Sequence, residues 1–252
     1  MNWDTRYDIS VVITAHHEGR LAHHTMRSLF RTQEHAAERG LTVETVVVLD
    51  TPDEATTRYF SSYANRPDIF ISNADCGDLG LSRNHGIRLS SGEYIAILDA
   101  DNLFCENWLY DAFRHLESCA TDIIAHPEYQ MVFEAQNFAF RQISSTDAAF
   151  EVSNLIEYNY WDAVCMARKE VFLKHPYEST TGTEGFGYED WHWNCETVAD
   201  DIAHHVVPGT VHFMRMKKSG SLLTYTRGTY RLIRPSKLFE PEVLSRLVRE
   251  KA

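Results

Sequence analysis

Two acids one residue apart close the most informative segment of this sequence. Gly92-Glu93-Tyr94-Ile95-Ala96-Ile97-Leu98-Asp99-Ala100-Asp101 begins as an apolar run and stops abruptly at Asp99 and Asp101. Residues 94–98 read as a short buried strand. Side chains alternate along a strand with a period of two, so both carboxylates can point the same way at its carboxyl end. Two such groups repel unless a positive charge lies between them or one takes up a proton. Hard divalent cations, held by one or two carboxylates together with phosphate oxygens, meet that need. An isolated Asp-Ala-Asp is equally a solvated loop, so the elements around it decide.

Those elements alternate strand and helix over the first hundred residues. Strands are expected at 9–13, 43–49 and 69–71, and helices at 19–39 and 81–91, the last stopped by Gly92. Thr51-Pro52-Asp53-Glu54 has the marks of a helix start, with Thr51 as cap and Pro52 in the first turn. Apolar strands joined by crossover helices imply a parallel sheet covered on both faces, with ligands beyond its carboxyl ends. Polar residues follow all four strands: Thr14 and Glu18, then Asp50, then Asp75, then Asp99 with Asp101. No Walker loop or G-x-G-x-x-G is present.

Past Asp101 the pattern becomes mixed. A helix is expected at 108–116 and strands at 123–126, 131–133 and 163–167. A glycine-rich stretch at 181–187 leads into Tyr188-Glu189-Asp190-Trp191-His192-Trp193, a helix start with acids in its first turn. Pro208-Gly209 is read as a turn between strands 202–207 and 210–214, with His212 facing away from Val211 and Phe213. Residues 235–250 form a terminal amphipathic helix. No repeat or linker interrupts the chain, so one domain is expected, with halves at 1–105 and 106–234 and a closing helix at 235–252.

Composition narrows the function classes. The 252 residues are 44% hydrophobic and carry a formal net charge of −12, enough for a sizeable core and unsuited to general nucleic-acid or anionic-membrane binding. The exception is local: from Arg215 to Lys237 seven basic residues occur with no acid, as a phosphate-facing lid would require, with Gly220 in Ser219-Gly220-Ser221 as its hinge. Five cysteines without a C-x-x-C pair point to free thiols in a reducing compartment. The start Met1-Asn2-Trp3-Asp4 lacks a secretory leader, and no apolar run reaches the ~20 residues of a membrane span. A cytoplasmic protein is expected, touching a membrane only from the side. The pairs His16-His17, His23-His24 and His204-His205 suggest zinc, but adjacent strand residues point oppositely and cannot share one ion.

From about Asp8 to Asp190, and more loosely to Lys218, the chain resembles the family 2 glycosyltransferases of the GT-A fold. The resemblance rests on Val11-Val12-Ile13-Thr14-Ala15-His16-His17-Glu18, Val46-Val47-Val48-Leu49-Asp50, Gly80-Leu81-Ser82-Arg83-Asn84-His85-Gly86-Ile87, Ile97-Leu98-Asp99-Ala100-Asp101 and Gly187-Tyr188-Glu189-Asp190. It departs at His16-His17, where the family often has Tyr-Asn, and at Thr51-Pro52, where a second acid is usual.

The resemblance implies a Rossmann-like, mostly parallel sheet with helices on both faces and a mixed acceptor-side subsheet. It implies that Thr14, Glu18, Asp50, Arg83, Asn84 and Asp99 face a nucleotide-sugar donor. Asp101 and Asp99, with His212, would hold Mn²⁺ or Mg²⁺, and Asp190 would be the base of an inverting transfer. Glu189, Trp191 and Trp193 would meet a saccharide or lipid-linked acceptor. Two rivals are a nucleotidyltransferase, which would need a basic glycine-rich loop where only Gly19 and Arg20 stand, and a non-catalytic nucleotide-sugar-binding subunit.

Overall fold

The computed structural model describes residues 7–180, 185–218, 220 and 222–250. The first half runs β1 (Ile9–Ala15), α1 (Ala22–Ala37), β2 (Val43–Asp50), α2 (Glu54–Ser61), β3 (Ile69–Ala74), α3 (Leu79–Leu89) and β4 (Tyr94–Asp99). The second runs β5 (Leu103–Phe104), α4 (Trp108–Glu117), β6 (Ile123–Glu134), β7 (Phe138–Arg141), β8 (Met166–Arg168), α5 (Lys169–Lys174), β9 (Phe186–Gly187), α6 (Glu189–Ala199), β10 (Ala203–Met216), α7 (Leu222–Gly228), β11 (Leu232–Ile233) and α8 (Pro241–Glu250).

One nine-stranded sheet spans the fold in the order β3-β2-β1-β4-β8-β6-β10-β5, with β7 beside β6. Its first four strands are parallel, Val12 standing opposite Val46 and Ile97. Antiparallel β8 then joins β4 to β6, and β10 runs parallel to β6. Strands this apolar can be buried on both sides, and alternation decides which side each residue serves. Val11, Ile13, Ala96 and Leu98 pack with α1, α2 and α4, whereas Val12, Ile95 and Ile97 pack with α3, α5 and α6. The α/β class with helices on both faces and a mixed second half is as the sequence suggested.

Local expectations needed correction where tertiary contacts override short signals. Asp53, rather than Thr51, caps α2 by accepting from Thr56 N, and Thr51 adopts a left-handed φ of 43°. Helix α3 starts two residues earlier than expected because Asp78 caps it through Leu81 N. The third strand runs on to Ala74, and the one expected at 163–167 is confined to Met166–Arg168. The strands expected at 123–126 and 131–133 are one strand, β6, running through Pro127.

Pro208-Gly209 makes no hairpin. Both flanking segments belong to β10 and lie along β6, with a register irregularity between Val207 and Val211. The bulge is closed by Glu128, whose carboxylate accepts from Gly209 N at 2.8 Å, and by Thr210, whose hydroxyl donates to Val207 O at 2.7 Å. Bulges are where proline and glycine fit a strand. The terminal helix is split into a 3-10 turn, Lys237–Phe239, and α8, because Pro241 starts a helix more readily than it continues one.

Gly86 sets how closely α3 lies on the sheet. A Cβ there would stand 2.5 Å from Val12 Cγ1 and 2.9 Å from Val48 Cγ2. Ala is worth about 1 kcal/mol over Gly in a helix, but these valines are buried and stiff at χ1, and overpacking costs ~1–3 kcal/mol. Gly86→Ala is therefore expected to destabilise the fold by roughly 1–2 kcal/mol, seen as a lower urea midpoint with an unchanged slope. A stabilised variant would refute the close approach.

Candidate active site

Beyond the carboxyl ends of β1, β2 and β4 lies a crevice of about 660 Å³. The first turn of α6 and the last residues of β10 close its far side, so both halves of the chain contribute. Thr14, Glu18, Asp50, Arg83, Asp99, Asp101, Glu189, Asp190 and His212 all line it, as the sequence led one to expect of a site at these strand ends.

Arg83 organises the floor. It is 1% exposed, and its guanidinium donates to Glu189 Oε1 at 2.7 Å and to Asp99 Oδ1 at 2.9 Å. Burial opposes its charge, but Asp99 and Glu189 outweigh that and hold it ionised. Glu189, itself buried in the crevice wall, is engaged by Arg83.

Asp190 is left in a different state. It lines the crevice half-buried and makes no ion pair among the described residues. Burial, with the Glu189 charge beside it, pushes its carboxyl up to about 7, against the pull of Arg83 and the Trp191 amide. A carboxylate poised near neutrality in a cleft suits proton abstraction. The preceding Tyr188 is left-handed, with φ of 57°, and turns the chain into α6 without a side-chain cap.

A second cluster surrounds Asp101. Burial pushes its carboxyl up; Asp99 and Glu18 add to this, and Lys217 opposes it from 2.7 Å. Lys217 also lies 3.5 Å from Glu18, and these two acids hold its ammonium above its ordinary range although burial would lower it. Arg215 secures the turn below, its Nε donating to Asp101 O at 3.1 Å and its N–H to Asn102 Oδ1 at 2.9 Å. Of the basic segment, Arg215 and Lys217 reach these acids, whereas Arg231 donates to Thr180 O and Phe186 O and Arg234 to Ser179 O. Gly220 has the left-handed φ of 74° that a hinge glycine would use, while Ser219 and Ser221 lie outside the described residues.

His212 is 1% exposed. Its Nδ1 is hydrogen-bonded to the carboxylate of Asp162, and its buried Nε2 has no partner among the described residues. A carboxylate behind one ring nitrogen, leaving the other as a free acceptor, is the support a metal-ligating histidine commonly has. The carboxylates of Asp99 and Asp101, the latter disfavoured as an anion, together with this nitrogen fit a hard divalent cation. As placed, Asp99, Asp101 and His212 do not gather their ligand atoms within 4.8 Å of one another, since Asp99 engages Arg83 and Asp101 engages Lys217.

Asp50 lies at the end of β2, where its oxygens accept from the N–H groups of Cys76, Gly77 and Asp78 and from the Ser82 hydroxyl. Burial would raise its carboxyl, but these four bonds outweigh it and keep the group below the ordinary range. Thr14 is also in the crevice lining, and its Oγ1 is buried without a partner among the described residues.

Four residues do not stand where they were expected. Asn84 does not line the crevice; its amide brackets the Tyr177 backbone at 2.7 and 3.0 Å and so fixes α3 to the loop after α5. Trp193 is core, stacked on Phe172 and Tyr177 with its indole donating to His175 O. Trp191 also lies outside the crevice lining, its indole donating to Leu155 O at 2.8 Å. Asp75 is exposed, and the acid that works after β3 is Asp78. Asp162 was missed because it stands in an irregular segment with no periodic or motif signal. The left-handed Thr51 and Tyr188, both in the lining, were equally silent in sequence.

The open α/β sheet with acids gathered beyond β1, β2 and β4 defines a protein of the GT-A type. Residues 10–174 match the family model described as glycosyl transferase family 2, and the chain belongs to that family. The uncharacterized glycosyltransferase MJ1057 of Methanocaldococcus jannaschii is 33% identical over 76 residues, which are 29% of this chain and 26% of that protein. TarS 1-349 of S. aureus, solved in complex with UDP-GlcNAc, superposes with a TM-score of 0.63 at 14% identity, over 86% of this chain and 60% of that one. The mannosyltransferase PcManGT of Pyrobaculum calidifontis, solved with GDP-Man and Mn²⁺, gives 0.61 at 16% identity, over 86% and 59%. The chain thus spans less than two thirds of each of these relatives.

The Arg83 fork makes a quantitative demand. Arg83→Met would leave Glu189 and Asp99 facing each other without their shared cation. Breaking a buried pair in this way costs ~3–5 kcal/mol. Urea denaturation should show a loss of that order, and a loss under about 1 kcal/mol would mean the fork is dispensable.

Proposed function

We propose that the crevice transfers a glycosyl group from a nucleotide-activated sugar, a UDP-sugar first of all, to a hydroxyl of a saccharide or lipid-linked acceptor, inverting the anomeric carbon. The supporting observation is the unequal treatment of the acids: Arg83 pairs with Asp99 and Glu189, while Asp190 has no ion pair among the described residues and its carboxyl is pushed up to about 7. An acceptor hydroxyl is a poor nucleophile until a placed base takes its proton, and Asp190 is the acid available to do so.

Residues 1–105 would bind the donor and 106–234 the acceptor, with 235–252 closing the domain. Asp50 and the unpartnered Thr14 hydroxyl would meet the base and ribose, with Glu18 beside them. Asp101, Asp99 and His212 would hold Mn²⁺ or Mg²⁺ once Lys217 and Arg83 yield part of their hold on the two acids. When bound, such an ion stabilises charge on a departing diphosphate without proton transfer. Lys217, freed from Asp101, would then contact phosphate directly, a charge-assisted bond of the strong kind. Among the described residues no helix is long and apolar enough to cross a membrane, so a lipid-linked acceptor would be met at the membrane surface.

With a base titrating near 7, kcat/KM should rise about tenfold per pH unit below that value and level off above it. Asp190→Asn should lose that limb and ~10²–10⁴ in kcat, with donor affinity by calorimetry unchanged. Normal turnover in this variant would exclude Asp190 as base. Asp101→Ala should abolish Mn²⁺-dependent UDP binding in a thermal-shift titration, and an unaltered shift would remove Asp101 from the cation site.

A further inference from the structure

Away from the crevice, near the amino-terminal end of β10, three side chains with affinity for soft and borderline metals converge. His115 Nε2 lies 3.2 Å from His205 Nδ1. Together with Cys119 Sγ, each residue offers one ligand atom to a set whose members all lie within 4.8 Å of one another. No other trio of His, Cys, Asp or Glu among the described residues is gathered this way. The sequence places them there for simple reasons. His115 stands in the last turn of α4, and Cys119, two residues past its end, folds back so that its Sγ donates to His115 O at 3.3 Å. His204 and His205 alternate on β10: His204 is fully buried between Trp161 and His126, which turns His205 to the α4 side.

We propose that His115, Cys119 and His205 form a Zn²⁺ site, separate from the crevice, with a fourth position open to water. Tetrahedral Zn²⁺ binds imidazole at ~2.0–2.1 Å, which puts two coordinated nitrogens about 3.3 Å apart; the observed separation already matches. All three residues are half-buried, and a cleft of about 380 Å³ opens beside Cys119 as an entry path. The adjacent pair His204-His205 does not share an ion, as the strand geometry requires; His205 finds its partners on another element. Zn²⁺ here would tie α4 to β10, the strand that carries His212 and leads to Lys217 at its far end.

Co²⁺ titration of the purified chain tests this, because thiolate ligation gives a charge-transfer band in the near ultraviolet. No cysteine lines the crevice among the described residues, so cation binding there cannot produce that band. The expected result is a band saturating at one equivalent, erased by Zn²⁺, and absent in Cys119→Ser. His115→Gln and His205→Gln, on separate elements, should each weaken Co²⁺ binding at least tenfold. Zn²⁺ should raise the melting temperature of the native protein over that in EDTA, with no rise in the three variants. No band in the native protein, or one that survives Cys119→Ser, overturns the site; so does tight binding retained in both histidine variants.

Discussion

One buried guanidinium bridging two carboxylates holds the crevice together. Arg83 comes from a helix of the first half, Asp99 from the end of a strand in that half, and Glu189 from a helix opening more than a hundred residues later. A charge so deep in protein persists only when it is paired and hydrogen-bonded. Lysine offers one point of charge, whereas a planar fork can satisfy two acids at fixed angles. The pairing decides which acids are spent, and it leaves Asp190 without an ion pair among the described residues.

The cation balance follows from the same arrangement. Eight acids, Glu18, Asp50, Asp78, Asp99, Asp101, Asp162, Glu189 and Asp190, line one cleft, and Arg83 and Lys217 pair with four of them, Asp99, Glu189, Glu18 and Asp101. Asp101 remains disfavoured as an anion even with Lys217 against it, because burial and two neighbouring carboxylates work the other way. Such a site gains by taking in further positive charge. The Nε2 of His212, without a partner among the described residues, lies at the same wall, its ring oriented by Asp162.

What could be read in the chain alone divides along a physical line. Strand and helix alternation up to Asp101 depends on local hydrophobic periodicity, and those elements appeared close to where they were expected, with Asp50, Asp99 and Asp101 in the crevice lining at their ends and Asp75 outside it. Asp53 and Asp78 displaced the expected helix starts because capping depends on where a side chain points, not only on its type. Asn84, Trp191 and Trp193 look like ligand contacts in a linear reading, yet their polar atoms are taken by backbone carbonyls of segments distant in sequence. The long strand β10 was split in two because Pro-Gly marks a turn in most settings, and only its neighbour β6 shows that it is a bulge here. Asp162 carried no pattern at all; its role exists only once His212 is beside it.

Thr51 and Tyr188, both in this crevice's lining, hold a backbone conformation that costs a residue with a Cβ ~1–2 kcal/mol. Glycine or asparagine would adopt it more easily. Laboratory evolution for heat resistance alone would be drawn to those two positions, harvesting stability where the native chain stores tension. The same exchange would slacken the entry into α6 that aims Asp190. A screen for hardier variants should therefore read turnover at every round, or it will enrich sturdy proteins that have lost their aim.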